Sequence, residues 1–175
     1  MKKIFIYILL ISPIYFFGQS FFKSYGGPGN DFGESILSTA DSSFIAVGAT
    51  ESFGNGATDL YAFKIDSNGE YLWSKTFGGP NIDYGTDLIQ LSDGSILFTG
   101  YSNSFSTGYD VFLVKTNSNG THQWTKNFGG MDWDFCYAAY ETKYSLSGVV
   151  LVGETYSYGN GNADAYLAKI DLLGD

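Results

Sequence analysis

Short apolar runs, separated by polar turns that carry glycine, recur along the chain from about residue 20 to its end. In one stretch, Thr86–Leu91, Ser95–Gly100, Asp110–Thr116 and Thr121–Phe128 read as four successive strands. Ser92-Asp93-Gly94 separates the first pair, and Asn117-Ser118-Asn119-Gly120 separates the last. Asp-Gly and Asn-Gly between short apolar runs signal hairpins, because those turns need positive φ. Phe44–Ala49 and Val149–Val152 are apolar at nearly every position, the pattern of a strand buried on both faces. A lone four-stranded sheet has no means of hiding both faces, whereas a sheet held between copies of itself does.

The unit is in fact written three times, with a step of about fifty residues. Gly-Gly-x3-Asp occurs as Gly26-Gly27 with Asp31, Gly78-Gly79 with Asp83, and Gly129-Gly130 with Asp134. A glycine closes an apolar run in each copy: Gly48, Gly100 and Gly153. Asp-x4-Lys follows as Asp59 with Lys64, Asp110 with Lys115, and Asp164 with Lys169. Trp73 and Trp124 stand at matching places in the first two copies. The expected fold is all-β, with three four-stranded antiparallel blades.

Two segments fall outside the repeat. Residues 1–18 have the form of a secretory signal peptide: Lys2 and Lys3, an apolar run from Ile4 to Phe17, then Gly18 before Gln19. The run is shorter than the roughly 20 apolar residues of a spanning helix, so the expectation is export, with no membrane span after cleavage. The destination is then the periplasm, the cell surface or the medium. Ser20–Tyr25 matches the strand that precedes Gly78-Gly79, and the chain ends where the third copy's fourth strand would begin. The blades are therefore expected over about 26–77, 78–128 and 129–175, the last completed by the strand 20–25.

Composition narrows the chemistry. Hydrophobic residues make up 44% and charged residues 15%, a packed globular balance. The 23 glycines, 15 phenylalanines and 14 tyrosines favour strands and tight turns over helices. All nine basic residues are lysines, against 18 acids, for a net charge of −9. Without arginine and with that charge, no nucleic-acid partner is expected. One cysteine (Cys136) and one histidine (His122) leave no disulfide framework and no Cys/His zinc site.

The spaced motifs together resemble the bacterial exported β-propeller repeat: Gly78-Gly79-Pro80-Asn81-Ile82-Asp83, Asp59-Leu60-Tyr61-Ala62-Phe63-Lys64, and Asn68-Gly69 leading to Trp73-Ser74-Lys75. The resemblance covers about residues 22–175 and implies a β-propeller architecture. It specifies no activity, because such repeats serve exported proteins of many roles. Three blades are fewer than the roughly four to eight of closed propellers. The phase fits a head-to-tail homo-oligomer that closes a six-bladed ring, a fragment of a longer propeller, or an open three-blade arc. A β-trefoil also has three copies of four strands, with shorter repeats.

Strand alternation sorts the connections onto two sides. The short hairpin turns share one side. The longer loops 50–58, 102–109 and 155–163 share the other with the linkers 26–31, 78–83 and 129–134, and binding residues gather on such loops. Asp31, Asp83, Asp134, Asp59, Asp110 and Asp164 lie on or beside that loop side. They fit either a calcium site or a structural role in which each carboxylate holds its own turn. Phe105, Tyr109, Trp133, Tyr156 and Tyr158 are the candidate ligand-binding rings, suited to stacking on sugar faces or to packing between blades. The expected function is a non-catalytic binding or scaffold module for a glycan or protein ligand. The alternatives are a glycan hydrolase or lyase using two loop-side carboxylates, and a truncated piece of a larger propeller.

Overall fold

A computed structural model of the chain describes residues 20–142 and 147–175. The expected leader, 1–18, lies outside the described residues, as does part of the longer first hairpin of the third copy. The described residues are all-β, with no helix. The first sheet runs β1 (Asp31–Ser38), β2 (Phe44–Thr50), β3 (Asp59–Ile65) and β4 (Tyr71–Phe77) in spatial order. The second runs β5 (Asp83–Gln90), β6 (Ile96–Ser102), β7 (Asp110–Thr116) and β8 (His122–Phe128). The third holds β9 (Asp134–Thr142), β10 (Gly148–Thr155) and β11 (Asp164–Ile170). All strand pairings within the sheets are antiparallel, and the register repeats: Asp31 faces Thr50, Asp83 faces Ser102, and Asp134 faces Thr155.

The sheets fan out from their first strands. β5 lies against β1, β2 and β3, and β9 lies against β5, β6 and β7. One core joins Ile45, Val47, Leu60 and Ala62 to Leu88, Ile96, Phe98, Phe112 and Val114 of the next sheet. A second joins Leu97, Val111 and Leu113 to Cys136, Val149, Leu151 and Ile170. Successive residues of β6 and β7 thus point into different cores, which is why those runs are apolar throughout. Each fully buried Leu or Phe side chain contributes about 1.5–3 kcal/mol.

The hairpin turns repeat as the sequence predicts. Gly69, Gly120 and Gly174 take φ of 75°, 75° and 87°. In each turn the first side chain, from Asp66, Asn117 or Asp171, accepts two backbone N–H groups of its own turn. The closing glycines meet a steric need: a Cβ on Gly48, Gly100 or Gly153 would lie 1.9, 1.7 or 1.8 Å from the carbonyl oxygen of Phe32, Tyr84 or Phe135 on the first strand.

Residues 20–25 do not form a strand, yet they occupy a fourth strand's place against the first sheet. Phe21 lies on Gly69 as Trp73 lies on Gly120 and Trp124 on Gly174. Lys23 pairs with Glu70 at 2.6 Å, and the Tyr25 hydroxyl donates to the Gly69 carbonyl at 2.8 Å. Among the described residues no strand pairs with the outer edge of β11, and residues 20–25 lie against the first sheet. In the third sheet β11 is covered less than its counterparts: Leu167 is 75% exposed where Leu113 is buried.

Candidate functional site

The Gly-Gly-x3-Asp motif builds the floor of the loop side. Gly27, Gly79 and Gly130 donate backbone N–H groups to Asp31, Asp83 and Asp134 at 2.8, 2.8 and 2.7 Å. Ser52, Ser104 and Ser157 add hydroxyl bonds at 2.8, 2.6 and 2.7 Å. Thr50 and Ser102 donate to Asp31 and Asp83 from across the pair, while accepting the N–H of Ser52 and Ser104. Burial alone would raise the Asp31 carboxyl, but the Thr50, Gly27 and Ser52 donors outweigh it and hold it low.

The third-strand aspartates close the longer loops. Asp59 accepts the N–H groups of Asn55 and Gly56 at 2.9 and 3.0 Å, and Asp164 accepts that of Asn160 at 2.9 Å. The glycine-rich stretches Gly54-Asn55-Gly56 and Gly159-Asn160-Gly161 are therefore aspartate-capped turns. Asp110 departs from this scheme. It accepts from Asn127 at 2.9 Å, but its other oxygen is buried without a partner. A Cβ on Gly129 would touch both that oxygen and an Asp134 oxygen, and one on Gly78 would touch both Asp59 and Asp83. Gly78 and Gly129 are thus each clasped between carboxylates of successive blades. Burial first, and the facing aspartate with it, raise Asp59 and Asp110 above the usual carboxylate range. All six candidate aspartates stand on the loop side, and hydrogen bonds are seen at each. Among the described residues no three acidic, histidine or cysteine side chains converge on one point.

The candidate rings divide into two groups. Tyr109, Trp133 and Tyr156 come together around Phe135: Tyr109 and Tyr156 each lie edge-on to Trp133, at 5.8 and 6.0 Å between centroids. Phe135 lies 5.7 Å from Tyr109 and 6.4 Å from Tyr156. Trp133 is half exposed and borders, with Tyr156, Asp132, Gly161 and Asn162, a cavity of about 360 Å³. Phe105 and Tyr158 lie elsewhere. Phe105 stacks on Phe112, and the Tyr158 hydroxyl donates to the Gly129 carbonyl at 3.1 Å. They stand where Phe53 packs on Tyr61 in the first blade, so they belong to a repeated aromatic packing position, each ring following a serine (Ser52, Ser104 or Ser157).

Sequence reasoning missed the rest of the ring system. Tyr101 lies 4.9 Å from Phe135 and stacks on Tyr84 at 5.3 Å, and Tyr84 meets Phe32 at 6.2 Å. Phe32, Tyr84 and Phe135 each follow the motif aspartate directly, on β1, β5 and β9. An aromatic residue next to that aspartate in every copy was the available signal. Two carboxylates flank the system: the Tyr84 hydroxyl donates to Glu34 at 2.7 Å, and the Tyr137 hydroxyl to Glu154 at 3.0 Å. Burial, then Glu154, pushes Tyr137 up to about 12.

His122 and Cys136 have ordinary surroundings. The His122 ring meets the Thr125 hydroxyl at 2.8 Å and packs on Phe77. Burial pushes the Cys136 thiol up to about 11, the state of a core residue rather than a reactive one.

A family model described as a domain of unknown function (DUF5122) beta-propeller matches residues 91–121, from the β5–β6 turn to the approach to β8. The regulatory protein FlaEY of Caulobacter vibrioides is 29% identical over 167 residues, which cover 81% of this chain and 17% of that protein. The chain thus spans about one sixth of the length of the curated relative it matches. Three successive antiparallel sheets in one register, with a β-propeller match on the middle one, give the chain a β-propeller-type repeat fold.

Proposed function

We propose that the chain is an exported binding module that holds an extracellular ligand, a glycan or a protein segment, on its loop side. The observation that carries this reading is the ring group Tyr109, Trp133, Phe135 and Tyr156 beside an open cavity. Half-exposed rings held by one another offer stacking area at little conformational cost. The relative's designation as a regulatory protein fits recruitment by contact. Lys2, Lys3 and the following apolar run support export. The test is a glycan and peptide array probed with the wild type and with Trp133→Ala/Tyr156→Ala, with product analysis on every ligand captured. Capture that the double substitution abolishes, with ligand recovered unchanged, is expected. Capture that is indifferent to it, or conversion of the ligand, would overturn the reading.

A further inference from the structure

The ring system extends well beyond the group just described, and its electrostatic setting is one-sided. Phe32, Tyr84, Tyr101, Phe135 and Tyr137 run along the loop-side ends of the first and second strands, across all three blades. Phe32 and Tyr137 are 44% and 47% exposed, so ring surface is open at both ends. Glu34 stands at one end and Glu154 at the other, each oriented by a tyrosine hydroxyl.

The lysines among the described residues are all on the far side. Lys23 pairs with Glu70, Lys64 with Asp41, Lys115 with Asp93, and Lys126 with Asp175, each at a hairpin turn. Lys75 lies beside Gly120 and Lys169 beside Gly148, again on the turn side. Among the described residues no lysine reaches the loop side, where Asp31, Asp59, Asp83, Asp110, Asp132, Asp134 and Asp164 add to the field. The molecule is electrically polarised, with aromatic faces and carboxylates on its purely acidic side.

We infer that this aromatic and acidic stripe takes an ammonium group, as presented by the lysine side chains of a basic peptide. The inference rests on the loop-side binding reading and narrows its ligand class. Ring faces attract cations through their quadrupole, and the flanking carboxylates attract them through charge. The Tyr84 and Tyr137 hydroxyls are already donated to glutamates, so they are less available as donors to neutral sugar oxygens. Each approaching ammonium has three N–H donors and meets a carboxylate acceptor at one end of the stripe, Glu34 or Glu154.

The experiment titrates the chain with a short lysine-glycine peptide, its Nε-acetylated counterpart and a neutral oligosaccharide, by calorimetry and tryptophan fluorescence. Acetylation is expected to weaken binding about tenfold or more, because it removes the charge that both rings and carboxylates read. Raising salt from about 0.05 to about 0.5 M is expected to weaken it as well. Glu34→Gln, Glu154→Gln and Phe135→Leu should each weaken it several-fold. Glu70→Gln on the turn side should leave it unchanged, which separates the stripe from general attraction to an acidic protein. Melting temperatures of the glutamine variants should match the wild type. Equal affinity for the acetylated peptide, or an unchanged affinity in the stripe variants, would overturn the inference. Salt-insensitive capture of the oligosaccharide alone would overturn it while leaving the binding module intact. Failure to bind any of the three, or any array ligand, would remove both.

Discussion

At the scale of the residue, the repeated aspartates act as staples. Asp83 holds its linker through Gly79 and its loop through Ser102 and Ser104. Bonds to a carboxylate are the stronger kind, so Asp83→Ala should cost about 2 kcal/mol in denaturant unfolding, and Asp83→Asn less. Gly100→Ala would drive a methyl into the Tyr84 carbonyl, and a loss of about 1–3 kcal/mol is expected from the forced backbone shift. Asp110 behaves in the opposite sense. Its carboxyl is raised, by burial first and by Asp134 with it, above the ordinary 3.8. The folded state therefore binds this proton more readily than the unfolded state. Its contribution to stability grows as pH falls through the raised value toward 3.8, and is absent at neutral pH. Asp110→Asn should stabilise the protein by about 1 kcal/mol at pH 7 and flatten that rise, because it removes a buried charge with one oxygen left unpartnered. Asp31, held low, contributes stability above 3.8 and loses it as pH falls through its depressed value. Thermal melts across pH read both effects. The motif's spacing was visible in the sequence, and so was the idea of an aspartate holding its turn. Its partners Ser52, Ser104 and Ser157 were not, because they come from a loop more than twenty residues away.

At the scale of the element, the hairpins were legible and the irregularities were not. Asn-Gly and Asp-Gly turns announce themselves, since their geometry depends on neighbouring residues alone. The register shifts at Gly33/Ser35 and Gly85/Asp87 leave no comparable local mark. The second of these aims Asp87 out of its own sheet. Its carboxylate accepts the Ser35 hydroxyl of the first sheet at 2.8 Å and the Ala139 N–H of the third at 3.1 Å. One side chain in β5 thus ties together the first strands of all three sheets. Asp87→Ala is expected to lower stability by about 2–3 kcal/mol, since it removes two bonds to a charge and leaves an N–H unpaired between sheets. An unchanged unfolding midpoint would show that the tie carries no load. The segment 20–25 teaches a related lesson. Its pattern marked it as a fourth strand, but strand identity belongs to a pair of segments, and pattern alone describes only one of them.

At the scale of the whole molecule, the fold follows from apolar runs that two neighbouring cores must share. That requirement made repeated, stacked sheets readable from sequence. The ring system was only partly readable, because its members come from the ends of first strands, second strands and loops of different blades. Periodicity assigns such positions to faces but gives no distance between copies. The most direct test of the account is a set of ring-to-ring and ring-to-isoleucine nuclear Overhauser contacts in a sample with labelled aromatic and isoleucine residues. The account predicts contacts from the Phe135 ring to both Tyr101 of the second blade and Tyr156 of the third, together with Phe98-to-Ile45 contacts between the first two sheets. A spectrum in which each sheet shows only its own internal contacts would contradict it.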